Sequence, residues 1–297
     1  MAVLAIVVFV MIVATVAKQS MTPPRPKKPI IVFVPGAWHT PAAYDLLLPR
    51  LHAAGYRTTS VHLPTVGTTG PVSFADDVSA VRKVVSGLVE LEEDVFVVSH
   101  SYGAHPVTEA LEGLSKKDRL AKGQPGGVVQ LFYIAAIVAT KGISSAEAFG
   151  PMVPKEKGGT WIIFNDHGNG YTSVANGEEA FYHDLPPSLA KYHASLLRTQ
   201  FQLYVLIYSD VKVVTDDSSS GSEPLTYEAY KDIPAAFLYC DDDRAFPIER
   251  QRNVVKAAGI QRTMSMNTSH SPFLSDPDRV VDFIIELVNE GPSTSRL

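Results

Sequence analysis

The sequence predicts an α/β protein with a mostly parallel central sheet, helices on both faces and an inserted cap. Short apolar runs rich in β-branched residues alternate with segments of helical periodicity, which is typical of this class. The composition is that of a folded globular protein, with 45% hydrophobic and 19% charged residues. A chain of 297 residues is also long enough to bury a large core.

The first half of the chain supplies three predicted strands and three predicted helices. In chain order these are residues 30–34 (strand), 44–54 (helix), 56–63 (strand), 73–91 (helix), 94–99 (strand) and 102–114 (helix). The first strand, I-I-V-F-V, ends at Pro35-Gly36 and is apolar throughout, as expected of a buried parallel strand. The helix from Ser73 has a capping residue, and Asp76 and Asp77 stand in its first turns.

The second half continues the pattern after an interruption. Strands are predicted over residues 128–139, 233–240 and 262–266, and a closing amphipathic helix over 280–288. Residues 140–232 do not continue the alternation of strands and helices. They contain a helical piece at 188–201, Gly- and Asn-rich turns and a Ser-rich loop at 216–222. We therefore predict a core of residues 30–139 and 233–297. The insertion, 140–232, would cover the carboxyl edge of the sheet, where open α/β sheets bind ligands.

Residues 1–29 form an apolar N-terminal segment followed by a Pro-rich linker. Residues 2–17 are an uninterrupted apolar run, shorter than the roughly 20 residues that span a bilayer comfortably. Three interpretations stay open: a membrane anchor, a cleaved signal that makes the protein secreted, or a dispensable extension. Basic residues follow the run rather than precede it, which argues against a signal peptide. As an anchor, this pattern would hold the following domain in the cytoplasm. The sequon at residues 267–269 lies where a glycan would crowd the site described below, which also favours the cytoplasm.

Charge and cysteine content exclude several functional classes. The 26 Lys and Arg residues against 31 Asp and Glu give a net charge of −5, and no dense basic stretch follows the N-terminal region. A nucleic-acid-binding surface is therefore not expected. Cys240 is the one cysteine, which excludes an intramolecular disulfide and cysteine-based zinc or iron–sulfur sites. No metal or organic cofactor is implied, and the oligomeric state is left open.

The segment that carries the chemistry is residues 95–104, V-F-V-V-S-H-S-Y-G-A. A buried strand runs into S-x-S-x-G and then a helix, which is the nucleophile-elbow pattern G-x-S-x-G with Ser99 in place of the first glycine. The turn is tight and strained, and it presents the hydroxyl of Ser101 beside a helix N-terminus. That end supplies a backbone N–H and a positive dipole to a developing oxyanion.

Chain order identifies the partners of this nucleophile, because the elbow serine is followed by an acid and then a histidine. His270 is the one histidine after His193, and it lies between the last predicted strand and the last helix. The acid is expected at the end of the strand over residues 233–240. Three aspartates follow directly, residues 241–243, and strand geometry alone does not choose among them.

The loop after the first strand is expected to supply the second oxyanion donor. Gly36 allows a close approach of the backbone, so the N–H of Ala37 is the predicted donor, together with that of Tyr102. Four further side chains are predicted, on weaker grounds, to line the substrate pocket: Trp38, His39, Trp161 and Tyr182.

The motifs together resemble the α/β-hydrolase superfamily, in the branch of small serine esterases similar to plant methylesterases and hydroxynitrile lyases. The resemblance rests on residues 33–39, 99–103, 243–247 and 269–273, with the cap segment 179–187 in support. It implies the α/β-hydrolase fold and, through the pattern D-x-x-x-P, selects Asp243 as the acid. Pro35 departs from the family, since histidine is common there, and so does Ser99, where glycine is common.

The predicted function is a serine hydrolase that cleaves a small carboxylic ester, lactone or thioester through an acyl-enzyme on Ser101, with His270 as base and Asp243 orienting it. Two alternatives stay open. A C–C lyase would use the same triad as a base, but Ser271 and Gly36 stand where the related hydroxynitrile lyases have lysine and threonine. A non-enzymatic small-ligand receptor on the same fold is the other.

Overall fold

The structure is a computed structural model, and it describes residues 27–68, 70, 72–150, 161–164, 171–201, 206–208, 211–213 and 223–291. The apolar segment at 2–17 and the Ser-rich loop at 216–222 lie outside these residues. In the part of the chain that is described, no helix has the length and apolar character needed to cross a membrane.

The central sheet has six strands among the described residues, and all of their pairings are parallel. The strands of the described chain are β1 (Ile30–Val34), β2 (Thr58–Ser60), β3 (Asp94–His100), β4 (Gly127–Ile134), β5 (Ile162–Phe164), β6 (Tyr171–Val174), β7 (Gln200–Phe201), β8 (Leu206–Tyr208), β9 (Val211–Val213), β10 (Ala235–Cys240) and β11 (Arg262–Met266). The central sheet has the order β11-β10-β4-β3-β1-β2, and the remaining strands form an antiparallel sheet, β5-β6-β7, and an antiparallel pair, β8-β9. The predicted parallel sheet is confirmed.

Helices connect these strands. The α-helices of the described residues are α1 (Leu48–Ala53), α2 (Phe74–Glu90), α3 (Ala104–Ala110), α4 (Lys116–Ala121), α5 (Ser145–Phe149), α6 (Gly177–Phe181), α7 (Pro187–Leu196), α8 (Ile248–Ala258), α9 (Pro272–Ser275) and α10 (Pro277–Glu290). Short 3-10 turns cover Pro41–Tyr44, Ser101–Gly103 and Ala229–Lys231. The predicted helix at 73–91 is confirmed as α2, which Ser73 and Asp76 cap reciprocally.

The sheet brings the ends of β1 and β3 together. All five residues of β1 are buried, as its apolar sequence predicts. Val34 at the end of β1 is paired with Ser99 near the end of β3. Because parallel strands end at the same edge, the loop after β1 and the turn after β3 lie side by side there.

Several predicted elements end earlier than expected. The strand predicted over 56–63 ends at Ser60, and the helix predicted over 102–114 ends at Ala110. The strand predicted to reach residue 139 stops at Ile134, because Ala135 has a left-handed backbone (φ 43°). The helix predicted over 188–201 ends at Leu196, and Gln200 and Phe201 form β7, which pairs with β6. Nothing observed tests the predicted bounds of the insertion, which stay a prediction.

Candidate active site

A strained turn presents Ser101 where β3 meets α3. Ser101 has a φ of 51°, in the left-handed region that residues with a Cβ occupy only at an energetic cost. A Cβ on Gly103 would lie 2.4 Å from the carbonyl oxygen of Pro35, and one on Gly36 would lie 2.8 Å from the Ser101 Cβ. Both glycines are therefore required where the β1 loop and the β3 turn meet. This is the geometry that the S-x-S-x-G pattern predicts.

Ser99, which replaces the usual glycine, is accommodated because it still belongs to strand β3. It is paired with Val34 on one side and Tyr133 on the other. Its side chain is buried, and its hydroxyl oxygen has no hydrogen-bond partner in the described structure. The left-handed residue is Ser101, two positions later, so the Cβ of Ser99 does not disturb the turn.

The ring of His270 is held by a buried carboxylate. Its Nδ1 lies 2.6 Å from Oδ2 of Asp243, and both side chains are almost completely buried. The other carboxylate oxygen, Oδ1, accepts hydrogen bonds of 2.8 Å from the backbone N–H groups of Ala245 and Phe246. Gln251 donates to Oδ2 through its Nε2 at 3.1 Å. The carboxylate is thus fixed from both sides and orients the imidazole.

The two neighbouring aspartates are engaged elsewhere. Asp241 accepts a hydrogen bond from the hydroxyl of Ser265. The exposed carboxylate of Asp242 lies 3.1 Å from Nε2 of His183. Of the three aspartates after β10, Asp243 is the one hydrogen-bonded to His270.

Ser101 and His270 line the same pocket. In the described structure the Ser101 hydroxyl makes no hydrogen bond to the His270 ring. Such contacts often tighten only when a substrate is bound. The side chains of Ser101 and His270 can therefore both contact a molecule bound in this pocket, while Asp243 is hydrogen-bonded to Nδ1 of the His270 ring.

The loop after β1 contributes Ala37 to this pocket, and the turn after β3 contributes Tyr102. The Ala37 N–H has no hydrogen-bond acceptor among the described residues, while the following residue, Trp38, adopts a φ of 63°. The N–H of Trp38 donates to the Gln200 side chain at 3.2 Å, so the peptide after Ala37 is held by β7. The predicted oxyanion donors thus lie on adjacent loops at one edge of the sheet.

Two buried histidines lie beside the site. His100 donates from Nε2 to the carbonyl oxygen of His270 at 2.9 Å, and the two rings are 4.5 Å apart. His39 donates from Nδ1 to the Ala37 carbonyl at 2.7 Å, so its Nε2 accepts from the Tyr182 hydroxyl at 2.9 Å. Burial lowers the pKa of His39 to about 3 and the pKa of His100 well below its usual value. Neither ring therefore carries a charge beside His270 at neutral pH.

The empty space within the pocket, including space open to solvent, is about 440 Å³. Its wall is mostly aromatic or aliphatic: the lining residues are Ala37, Trp38, His39, Ser101, Tyr102, Ile137, Ser145, Phe149, Trp161, Phe181, Ala245 and His270. Of the residues predicted as pocket lining, Trp38, His39 and Trp161 are in this wall. Tyr182 is not, because it is buried behind His39 and holds that ring through its hydroxyl. No Lys, Arg, Asp or Glu lines the pocket in the described part of the chain.

The described ranges contain no group of three or more His, Cys, Asp and Glu side chains arranged to hold a metal ion.

Comparison with known proteins decides the family. Residues 31–283 match the family described as the alpha/beta hydrolase family. The chain belongs to the α/β hydrolase family. This hydrolase is 32% identical over 267 residues to the alpha/beta hydrolase nvfD of Aspergillus novofumigatus, a match that covers 89% of this chain and 98% of the relative. It is 24% identical to methylesterase 1 of Arabidopsis thaliana, over 89% of this chain and 97% of that one.

Solved structures agree on the fold. A pyrethroid hydrolase superposes on the hydrolase with a TM-score of 0.64 at 21% identity, covering 89% of this chain and 98% of the other. Polyneuridine aldehyde esterase superposes with a TM-score of 0.64 at 18% identity, covering 88% and 99%. The predicted α/β-hydrolase fold and the prediction of a hydrolase enzyme are confirmed, and the relatives include esterases.

Several site residues of the hydrolase were not expected from the sequence. His100 occupies the variable position of the S-x-S-x-G pattern, so the motif says nothing of its contact with His270. Phe149 and Phe181 line the pocket from α5 and α6 of the insertion. Phe181 lies within the cap segment 179–187, the one sequence signal that could have identified it.

Proposed function

We propose that this hydrolase is a serine esterase that cleaves small, uncharged carboxylic esters, lactones or thioesters through an acyl-enzyme on Ser101. One observation carries the proposal. Ser101, in its strained turn, shares a pocket with His270, whose ring is hydrogen-bonded to the buried Asp243 at 2.6 Å. A hydroxyl, an imidazole and a carboxylate in this order are the requirements for nucleophilic acyl transfer.

In the first half of the reaction, Ser101 Oγ attacks the carbonyl carbon and its proton passes to Nε2 of His270. Asp243 accepts the Nδ1–H bond, which keeps Nε2 available as the base and stabilises the imidazolium. The carbonyl oxygen becomes an oxyanion that the N–H groups of Ala37 and Tyr102 stabilise, each contributing on the order of 10²–10³ in rate. The C–O bond then breaks and His270 protonates the departing alcohol.

In the second half, water takes the place of the alcohol. His270 removes a proton from the water as its oxygen attacks the acyl carbon, and the same two N–H groups hold the second oxyanion. Collapse breaks the bond to Ser101 Oγ, which recovers its proton from His270. The carboxylic acid leaves and the enzyme returns to its starting state.

The pocket wall supports a neutral, apolar substrate. Trp38, Phe149, Trp161 and Phe181 surround the reacting groups, and no charged side chain of the described residues faces the substrate. A substrate carboxylate or ammonium would lose its hydration there without a partner, which is costly. Among the described residues, this wall also offers no cation to a cyanide leaving group, which gives C–C lyase chemistry no support.

The proposal is tested with p-nitrophenyl and methyl esters of varied acyl length. We expect the wild type to hydrolyse neutral esters, and Ser101→Ala to lose turnover by several orders of magnitude because the nucleophile is gone. The control is Ser99→Ala, which removes a neighbouring buried hydroxyl without a hydrogen-bond partner and should retain turnover.

A fluorophosphonate probe separates an esterase from a receptor on the same fold. Labelling should occur in the wild type and in Ser99→Ala, and should be absent in Ser101→Ala. Unlabelled, folded wild-type protein without ester turnover would support the receptor instead, and cyanide release from a cyanohydrin would support the lyase. Undiminished turnover in Ser101→Ala would refute the assigned nucleophile.

A further inference from the structure

A buried carboxylate that the proposed mechanism does not use lies beneath the active site. Asp77, on α2, is completely buried. Its Oδ1 accepts a 3.0 Å hydrogen bond from the backbone N–H of Thr65, and its Oδ2 accepts from the Thr65 hydroxyl at 2.7 Å. The phenolic hydroxyl of Tyr102 donates to the same Oδ2 at 2.8 Å. Tyr102 directly follows Ser101, so one arm of this network reaches the turn that bears the nucleophile.

The second arm reaches the loop after β1. The Thr65 hydroxyl also accepts a 2.5 Å hydrogen bond from Nε2 of Gln200, a buried residue of β7. Oε1 of Gln200 in turn accepts from the backbone N–H of Trp38 at 3.2 Å. The donors and acceptors form one consistent chain, from Trp38 through Gln200 and Thr65 to Asp77. Trp38 directly follows Ala37, so this arm holds the other loop.

We infer that Asp77 is a positioning residue that aligns both proposed oxyanion donors, the N–H of Tyr102 through its phenol and the N–H of Ala37 through Thr65 and Gln200. This inference rests on the proposed esterase function. Oxyanion stabilisation requires donors that are in place before the charge develops, because reorganisation during the reaction costs activation energy. Anchoring both donor loops to a single rigid carboxylate on α2 meets that requirement.

The chemistry of the network favours a carboxylate over any other acceptor. Asp77 accepts hydrogen bonds from three donors, which an ionised carboxylate does with its two oxygens while both hydroxyls keep their donor role. An amide at this position would point its NH₂ group at the Thr65 N–H or at the two hydroxyls. Burial raises the pKa of Asp77 to about 6, against the opposing effect of these hydrogen bonds. The fold thus keeps a costly buried charge where an apolar side chain would be easier to bury.

The test uses the full chain and four variants that interrupt the network. Asp77→Asn removes the charge, Tyr102→Phe cuts the arm to the nucleophile turn, and Thr65→Val and Gln200→Met cut the arm to the β1 loop. Thr65→Ser keeps the hydroxyl and serves as the conservative rescue. Tyr133→Phe is the matched control, because it removes a buried phenol that bonds Thr108 and does not line the pocket.

Two readouts are compared. Backbone hydrogen–deuterium exchange should rise in residues 35–39 and 100–103 for Asp77→Asn, and in the segment of the cut arm for the other variants. With p-nitrophenyl butyrate, kcat should fall about 10-fold to 100-fold while KM changes little, because the effect falls on the transition state. Tyr133→Phe should match the wild type in both, and Thr65→Ser should recover most of the kcat lost in Thr65→Val.

The inference is overturned if exchange in both segments matches the Tyr133→Phe control in all four variants, or if kcat stays at the wild-type level while exchange rises. Should Asp77→Asn fail to fold, the Tyr102 and Thr65 variants still decide the outcome. If the wild type hydrolyses no ester, the proposed function fails instead. The exchange measurement then still shows whether Asp77 holds the two segments.

Discussion

At the scale of single residues, the carboxylate behind His270 is the most informative contact. Three aspartates follow β10, and strand geometry predicted from the sequence does not show which of them is the acid that orients His270. The structure separates them by what they bond: Ser265 for Asp241, His183 for Asp242 and His270 for Asp243. The resemblance to the family pattern D-x-x-x-P selects the same residue. In the structure, the turn after Asp243 also directs two backbone N–H groups at its Oδ1.

Asp243→Asn should lower kcat by about 10³–10⁴-fold. The amide oxygen will occupy the Oδ1 position, where two backbone N–H groups donate, so the NH₂ group will face Nδ1 of His270. That arrangement forces the imidazole proton onto Nε2 of His270. A protonated Nε2 cannot act as the base. Turnover of p-nitrophenyl butyrate and the free energy of unfolding in urea are the measurements.

Asp241→Asn and Asp242→Asn are the matched controls, because they make the same chemical change one and two positions earlier. Both should retain kcat within a few-fold, since neither carboxylate contacts His270. Equal losses in Asp242→Asn and Asp243→Asn would contradict the assignment of the acid.

At the scale of secondary-structure elements, the site depends on how closely the start of α3 approaches the end of β1. Gly103 is what permits this approach, because a Cβ there would lie 2.4 Å from the carbonyl oxygen of Pro35 and 2.8 Å from that of Val34. Backbone atoms on both sides leave no flexible group to move aside. The nucleophile turn and the β1 loop are therefore coupled by contact as well as by the Asp77 network.

Gly103→Ala should destabilise the protein by about 1–3 kcal/mol, the usual cost of overpacking a tight contact. It should also lower kcat, because relief of the clash moves Ser101 relative to Ala37. Urea unfolding and ester turnover check both effects. The control is Gly87→Ala in α2, where a Cβ meets open space and should stabilise the helix by about 0.5–1 kcal/mol. An unchanged unfolding midpoint in Gly103→Ala would show that the two loops do not meet as described.

The elements that the sequence predicted well are those with local signals. Strand β11 and helix α2 match their predicted bounds within one residue, because apolar periodicity and a capping serine mark them. The strand expected to reach residue 139 ends at Ile134 although the run stays apolar. The residues beyond it remain buried and Ile137 lines the pocket, so their hydrophobicity reflects burial rather than strand geometry.

The parts that could not be predicted depend on contacts between distant segments. Strand β7 exists because Gln200 and Phe201 pair with β6, about thirty residues earlier in the chain, and helical spacing cannot reveal such a partner. The roles of Asp77, His100 and Tyr182 have the same origin. Each is set by a hydrogen bond to a residue far away in sequence, to Tyr102, His270 and His39 respectively.

At the scale of the whole molecule, buried histidines contribute to how stability responds to acid. Burial lowers the pKa of His39 to about 3 and that of His105 to about 4, and it lowers the pKa of His100 as well. In the unfolded chain each imidazole titrates near 6.5. As the pH falls below 6.5, the unfolded chain therefore binds protons that the folded protein does not. The free energy of unfolding should therefore decrease as the pH falls through this range. Asp77 partly opposes this decrease, because its raised pKa makes the folded protein bind a proton before the unfolded chain does as the pH falls from about 6 to 4.

His105 tests this linkage away from the pocket. It lies on α3 with Nε2 donating to the Glu223 carbonyl at 3.2 Å, and its Nδ1 has no partner in the described structure.

His105→Gln keeps a donor for that carbonyl but cannot titrate. Between pH 6.5 and about 4, the stability of His105→Gln should fall less steeply than that of the wild type, by roughly 1 kcal/mol per pH unit at most. Urea unfolding across this range measures the slopes, and His62→Gln, at an exposed position, should follow the wild type. Parallel curves for wild type and His105→Gln would mean that His105 is protonated in the folded protein, contrary to its burial.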